Sequence, residues 1–165
     1  VWGVIHNGRE SWPRPIDALI RFHQERGGQV VLISNAPRPS TDVLPQLDAL
    51  RVPREAWQAF VTSGDATRAE LTARAPGPAL KIGPDRDEAL YVGTGVEAAK
   101  AVEDAAFLSV TGLYDDETEG PENYRDLLSA AAARDLELIC ANPDRVVQRG
   151  DKLIYCGGAL ADLYE

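Results

Sequence analysis

Hydrophobic and polar positions follow two patterns in turn over the first 74 residues. Short, nearly continuous apolar runs are typical of strands covered on both faces of a parallel sheet, and these predicted strands span residues 1–5, 29–34 and 59–62. Between them the apolar positions recur every three to four residues, which predicts amphipathic helices over residues 13–26, 41–50 and 65–74. Strands and helices that alternate with short links favour a parallel α/β sheet, because parallel neighbours need a crossover and the helix supplies it.

The rhythm changes at Pro76-Gly77-Pro78, which we take as a domain boundary. Beyond it the pattern is again α/β, with a helix predicted over residues 121–134 and another beginning at residue 158. The predicted strands of this half span residues 79–82, 107–111, 137–141 and 152–155. We therefore expect an α/β chain of two units, residues 1–76 and residues 77–165.

Composition narrows the function classes. Of 165 residues 44% are hydrophobic and 26% are charged, which indicates a globular chain rather than a disordered one. The net charge of −9 argues against nucleic acid and anionic membranes as partners, and no apolar run is long enough to span a bilayer. Cys140 and Cys156 form no C-x-x-C pair, so we expect neither a disulfide scaffold nor a zinc site, and a reducing cytoplasm is the simplest location. Methionine is absent, and the chain opens directly on an apolar run, so we expect a segment of a longer protein.

Candidate chemistry lies at the ends of the first two predicted strands. His6-Asn7-Gly8 follows the first, and Ser34-Asn35 closes the second. In an open parallel sheet, ligands bind beyond the carboxyl ends of the strands, so both loops should face one crevice. A serine hydroxyl followed by an exposed backbone amide suits a phosphoryl oxygen. Taken alone, a Ser-Asn pair is more typical of a strand that simply ends in a turn.

Two other motifs admit alternatives. Residues 92–98 fit G-x-G-x-x-A with acids at 115 and 116, as in dinucleotide-binding folds, but the segment before them is a weak strand and the one after lacks an apolar stripe. Residues 115–122 carry five acids, which suggests either a metal site or the solvated entrance of a helix. The spacing does not match a calcium loop and favours the helix entrance.

The ordered motifs V-W-G-V-I-H-N-G, V-L-I-S-N-A-P-R-P, V-T-S-G-D-A-T and C-A-N-P-D-R-V-V together resemble the haloacid dehalogenase superfamily, in its class IIA branch of NagD-like phosphatases. The resemblance covers essentially the whole chain. It implies a Rossmann-like parallel-sheet core, present here in part, with an inserted α/β cap of about residues 77–165. It also implies a magnesium-dependent reaction in which an aspartate attacks phosphorus and an aspartyl-phosphate is then hydrolysed.

Carried over residue by residue, the resemblance makes Ser34 the hydroxyl that holds the transferring phosphoryl group and Asn35 the donor of a backbone amide. Trp2 and Gly3 fall in the loop around the phosphate, and the backbone carbonyl of Trp2 takes the position of a magnesium ligand. Asn142 and Asp144 match a cap loop that faces the active site and contacts substrate.

Two departures from the family pattern follow. Trp2 stands where these phosphatases usually carry a second aspartate that transfers a proton, which an indole cannot do. The nucleophilic aspartate would lie immediately before Val1, and the family's lysine and late acidic metal motif are not among these residues. We therefore expect residues 1–165 alone to be inactive.

The expected function of the complete protein is magnesium-dependent hydrolysis of a small phosphorylated metabolite, with any homo-oligomer formed through the cap. The alternatives are a non-catalytic homologue that binds a phosphorylated metabolite, which Trp2 favours, and a dinucleotide-binding oxidoreductase.

Overall fold

The computed structural model describes all residues 1–165 as an α/β chain with three small sheets. The α-helices are α1 Pro13–Arg26, α2 Ser40–Ala49, α3 Ser63–Arg74, α4 Arg125–Ala132 and α5 Gly157–Tyr164. The strands are β1 Val31–Ser34, β2 Ala59–Thr62, β3 Ala79–Ile82, β4 Phe107–Val110, β5 Glu137–Cys140, β6 Val146–Arg149 and β7 Lys152–Tyr155. None of the helices combines the length and the apolar character that crossing a bilayer requires.

Strands β1 and β2 pair in parallel, with Ser34 beside Thr62 at their carboxyl ends. One face of this pair packs on α1 and α2 in a core that contains Leu32, Leu47 and Phe60. The other face is open: Ile33 is 68% exposed, and Val31 and Val61 are also exposed. The prediction of a strand covered on both faces is therefore wrong for β1 within this chain.

Strands β3, β4 and β5 form a second parallel sheet in that order, and their carboxyl ends align at Ile82, Val110 and Cys140. All four residues of β4 are buried, as expected of a central strand. Leu108 and Leu128 belong to one buried hydrophobic cluster, and Leu71 of α3 packs with Phe107 in a second cluster. These contacts confirm the predicted α/β class; the division into units 1–76 and 77–165 stays a prediction.

Strands β6 and β7 form an antiparallel hairpin, of which the sequence patterns predicted only the second strand. The predicted helix over residues 121–134 begins with a turn of 3-10 helix at Pro121–Tyr124 before α4.

The first predicted strand, residues 1–5, is absent. The segment is a turn in which the amides of Val4 and Ile5 both donate to the carbonyl of Val1, and only isolated bridges involve Trp2 and His6. Gly3 adopts a φ of 72°, which breaks an extended conformation. A short apolar run does not reveal such a turn, because its periodicity is the same in either conformation.

Candidate functional site

One cavity of about 330 Å³ lies where the carboxyl ends of both parallel sheets meet. Ser34 and Asn35 reach it from the end of β1, Thr111 and Gly112 from the end of β4, and Asn142 from the loop after β5. This volume falls within the range of small-molecule sites. The position agrees with the rule that ligands bind beyond the carboxyl ends of parallel strands.

The structure brings most of the predicted site residues to this cavity. Trp2, Ser34, Asn35, Asn142 and Asp144 all line it, and the side-chain amide of Asn35 donates to the Asp144 carboxylate over 2.9 Å. Gly3 does not line it; it borders a second depression beside the β6–β7 hairpin. What each of these residues binds stays a prediction.

The loop that follows Ser34 is held by the start of α3. Thr62 caps that helix, and its hydroxyl also donates to the carbonyl of Arg38 over 2.9 Å. The Asp65 carboxylate accepts from the backbone amides of Ser40 and Thr62, both over 2.9 Å. Burial alone would raise the pKa of Asp65, but these hydrogen bonds outweigh it and hold the pKa below its ordinary value.

Gly64 allows this loop to approach the helix closely. Its amide donates to the carbonyl of Ala36 over 3.0 Å, and a Cβ at this position would lie 2.4 Å from the carbonyl oxygen of Pro37. The loop after Ser34 and Asn35 is thus held against the start of α3 by both side-chain and backbone hydrogen bonds.

Trp2 joins the first loop to the hairpin. Its indole nitrogen donates to the carbonyl of Gln148 in β6 over 2.9 Å, and its ring packs edge-on against His6. A Cβ on Gly8 would lie 2.2 Å from this ring, so the turn beneath it requires glycine. The indole is a structural contact between two segments that line the cavity.

His6 also lines the cavity but is only 3% exposed. Its Nδ1 accepts from the amide of Gly8 over 3.0 Å, and burial lowers the pKa of the imidazole. The neutral ring therefore supports the turn that carries Trp2.

Charged residues that the sequence analysis did not assign to the site complete the cavity wall: Arg38, Arg86, Asp87, Asp116 and Arg149. Arg38 lies in the same loop as Asn35 and could have been found from that proximity. The others come from the segments after β3 and β4 and from β6, and only the tertiary fold places them here.

Asp116 is an exception to the predicted solvated helix entrance, in which Asp115, Glu117 and Glu122 are exposed as expected. Its side chain is 8% exposed and accepts from Arg86 over 2.5 Å and from Arg149 over 2.8 Å. Burial would raise the pKa of Asp116, but the two guanidinium groups hold it below its ordinary value.

Asp87 has a different environment. Its carboxyl is 7% exposed, and the nearest guanidinium, that of Arg38, is 4.0 Å away. Burial raises the pKa of Asp87, and a hydrogen bond with Thr111 and the neighbouring arginines offset only part of this effect.

The residues present do not form a magnesium site. No group of three or more histidine, cysteine, aspartate or glutamate side chains comes together in the structure. Magnesium is bound through carboxylates and water, and the carboxylates of Asp87 and Asp116 face guanidinium groups instead.

The structure around residues 92–98 does not match that of a dinucleotide-binding site. Its fingerprint needs a strand before the glycines and a helix after them. Here Asp85–Leu90 is a 3-10 helix, and no α-helix follows Gly95 before α4.

Comparisons with known proteins agree with this arrangement. A model of haloacid dehalogenase-like hydrolases matches residues 1–105. Among solved structures, a hydrolase of the haloacid dehalogenase-like family from Brucella suis 1330 is 47% identical, with a TM-score of 0.93 over 99% of this chain and 62% of that one. The comparison with curated proteins found no match.

More distant structures share the fold. A p-nitrophenyl phosphatase from Archaeoglobus fulgidus is 22% identical, with a TM-score of 0.69 over 98% of this chain and 60% of that one. A 4-nitrophenylphosphatase from Thermotoga maritima is 18% identical, with a TM-score of 0.66 over 98% of this chain and 60% of that one. The chain thus spans about three fifths of the length of these structures. The family model and the close structural match confirm the resemblance seen in the motifs, and the chain belongs to the haloacid dehalogenase-like hydrolase family.

Proposed function

We propose that the complete protein hydrolyses the phosphate monoester of a small metabolite, which binds in the cavity at the end of β1. The observation that carries the proposal is the position of Ser34 and Asn35 on a braced loop at the carboxyl end of a parallel strand, facing the cavity. The Ser34 hydroxyl and the backbone amide of Asn35 would hold phosphoryl oxygens. Asn142 and Asp144 would contact the rest of the substrate.

The family and the names of the distant structures support the same reaction. Two of them are described as nitrophenyl phosphatases, which act on an aryl phosphate. A need for magnesium rests on the family resemblance alone, and so does the aspartate nucleophile. A cytoplasmic location is likewise a proposal, and it rests on the cysteine pattern of the sequence.

Release of inorganic phosphate from p-nitrophenyl phosphate by the complete protein tests the proposal, with magnesium and with a chelator in its place. Ser34→Ala should lower kcat/KM about 100-fold or more, as loss of one preorganised donor does. Ser129→Ala, on the exposed side of α4, is the matched control and should retain full activity.

Absence of phosphate release from a broad panel of monoesters would exclude a hydrolase. If calorimetry then still detected phosphate binding that depends on Ser34, the protein would be the non-catalytic binding homologue.

A further inference from the structure

The cavity wall contains guanidinium groups with unused hydrogen-bond donors. Arg38 lines the cavity, and its guanidinium makes no hydrogen bond to the protein; its nearest carboxylate oxygen, on Asp87, is 4.0 Å away. Arg86 donates from one nitrogen only, to Asp116 over 2.5 Å. Each guanidinium carries five N–H donors in a planar fork, so most of these donors have no acceptor in the protein.

Arg86 is held in place by a buried partner. Asp116 is 8% exposed and also accepts two hydrogen bonds from Arg149, over 2.8 and 3.1 Å. Asp116 therefore bridges Arg86 and Arg149 and restricts the orientation of the Arg86 guanidinium before any ligand arrives. Preorganised guanidinium groups lose less conformational entropy on binding an anion.

The net charge of the cavity wall does not show whether an anion binds there, because three guanidinium groups and three carboxylates line the cavity. What indicates anion binding is the number of hydrogen-bond and ion-pair partners that each charged side chain already has in the protein. Asp116 is shared by two arginines and Asp144 accepts from Asn35. Arg38 has only the Asp87 carboxylate, 4.0 Å away and without a hydrogen bond, and most donors of Arg86 have no acceptor. A second anion would satisfy donors that the protein leaves open.

We propose that Arg38 and Arg86 form a second anion subsite, so that the ligand is a phosphate monoester that carries another anionic group, a carboxylate or a second phosphate. This inference rests on the proposed function, which assigns the phosphoryl group to Ser34 and Asn35. The two subsites share one cavity of about 330 Å³, which suits a small ligand with two charged ends. Guanidinium forks bind carboxylates and phosphates through paired hydrogen bonds.

Calorimetry of the complete protein with three phosphonates of one chain length tests the proposal. Propylphosphonate carries one anionic group, phosphonopropionate adds a carboxylate, and propylene bisphosphonate adds a second phosphonate. We expect at least one of the two doubly anionic probes to bind about 10-fold or more tightly than propylphosphonate, and the better of the two identifies the second group.

Arg86→Ala should remove this preference, and so should Arg38→Ala. Arg86 is half exposed and Asp116 keeps Arg149 as partner, so the variant is expected to fold; thermal unfolding checks this. Arg125→Ala removes a cap arginine that pairs with Glu122 outside the cavity, and it should keep the preference.

Equal binding of all three probes, no measurable binding of any, or a preference that survives in Arg86→Ala would overturn the subsite. Its failure is separate from that of the proposed function: phosphate release without such a preference refutes only the subsite. Arg86-dependent binding without phosphate release refutes only the hydrolysis.

Discussion

Individual carboxyl groups in the cavity have different surroundings, and their pKa values shift in different directions. Asp116 and Asp87 are both buried carboxyls, yet two guanidinium groups hold the pKa of Asp116 below its ordinary value and burial raises that of Asp87. The difference follows from distance, since arginine nitrogens lie 2.5 and 2.8 Å from Asp116 but 4.0 Å from Asp87. A buried carboxylate with weak partners destabilises the folded chain.

Asp87→Asn should therefore raise the free energy of unfolding at neutral pH. A folded-state pKa above the ordinary value means that the folded chain binds the proton more tightly, so stability falls as the pH rises from the ordinary pKa through the raised one. The gain in the variant should be full above the raised pKa and should vanish below the ordinary pKa.

Urea unfolding at several pH values measures this effect. Asp85→Asn, an exposed change two residues earlier, is the control and should have little influence on the unfolding free energy. A variant at Asp87 that is less stable than the wild type at neutral pH would show that its contact with Arg38 outweighs the cost of burial.

At the scale of elements, the site depends on how neighbouring segments are joined. The start of α3 braces the loop after β1 through Thr62, Gly64 and Asp65. The β6–β7 hairpin is tied to the first loop by the indole of Trp2. Trp2 thus has a structural role in this chain, at a position where the resemblance would place a proton-transferring aspartate.

Trp2→Phe should loosen the hairpin because it removes the hydrogen bond to the carbonyl of Gln148 and keeps an aromatic ring. One hydrogen bond of this kind corresponds to roughly a 2- to 10-fold change in a local opening equilibrium. Hydrogen exchange of the β6 and β7 amides should accelerate by about this factor.

Trp12→Phe is the matched control, since the Trp12 indole donates no hydrogen bond to the hairpin, and hairpin exchange should be unchanged in it. Unchanged exchange in Trp2→Phe would mean that the Trp2 hydrogen bond does not hold the hairpin.

At the scale of the whole molecule, the two parallel sheets differ in how they are covered. Strand β4 is buried along its whole length, whereas β1 and β2 expose Val31, Ile33 and Val61 on one face. A contiguous apolar sheet face of this kind is uncommon on a stable monomeric surface.

We expect the 165-residue chain to bind a hydrophobic dye on this face. The double variant Ile33→Thr/Val61→Thr should reduce dye fluorescence and change the free energy of unfolding by less than about 0.5 kcal/mol, because both residues are exposed and threonine suits strands. Leu32→Thr, on the buried face of β1, should instead cost about 2 kcal/mol or more. Undiminished dye fluorescence in the double variant would place the dye-binding surface elsewhere.

The sequence by itself determined most helices and strands, because their formation depends on residues that are close together along the chain. Apolar runs and helical spacing located the five α-helices and six of the seven strands, because the two kinds of element space their apolar residues differently. It also predicted the position of Ser34 and Asn35 beside the cavity, since a polar pair at the end of a parallel strand lies at one edge of the sheet. The turn at Val1–Ile5 escaped it, because a short apolar run has no periodicity that separates turn from strand.

Only the tertiary structure decided which charged residues meet in the cavity. Asp116 belongs to an acidic run that looks solvated, and its partners Arg86 and Arg149 lie 30 and 33 residues away along the chain. The same holds for the hydrogen bonds from Asn35 to Asp144 and from Trp2 to Gln148, which join segments more than 100 residues apart. Such contacts depend on the packing of one sheet against another, which no local pattern of residues specifies.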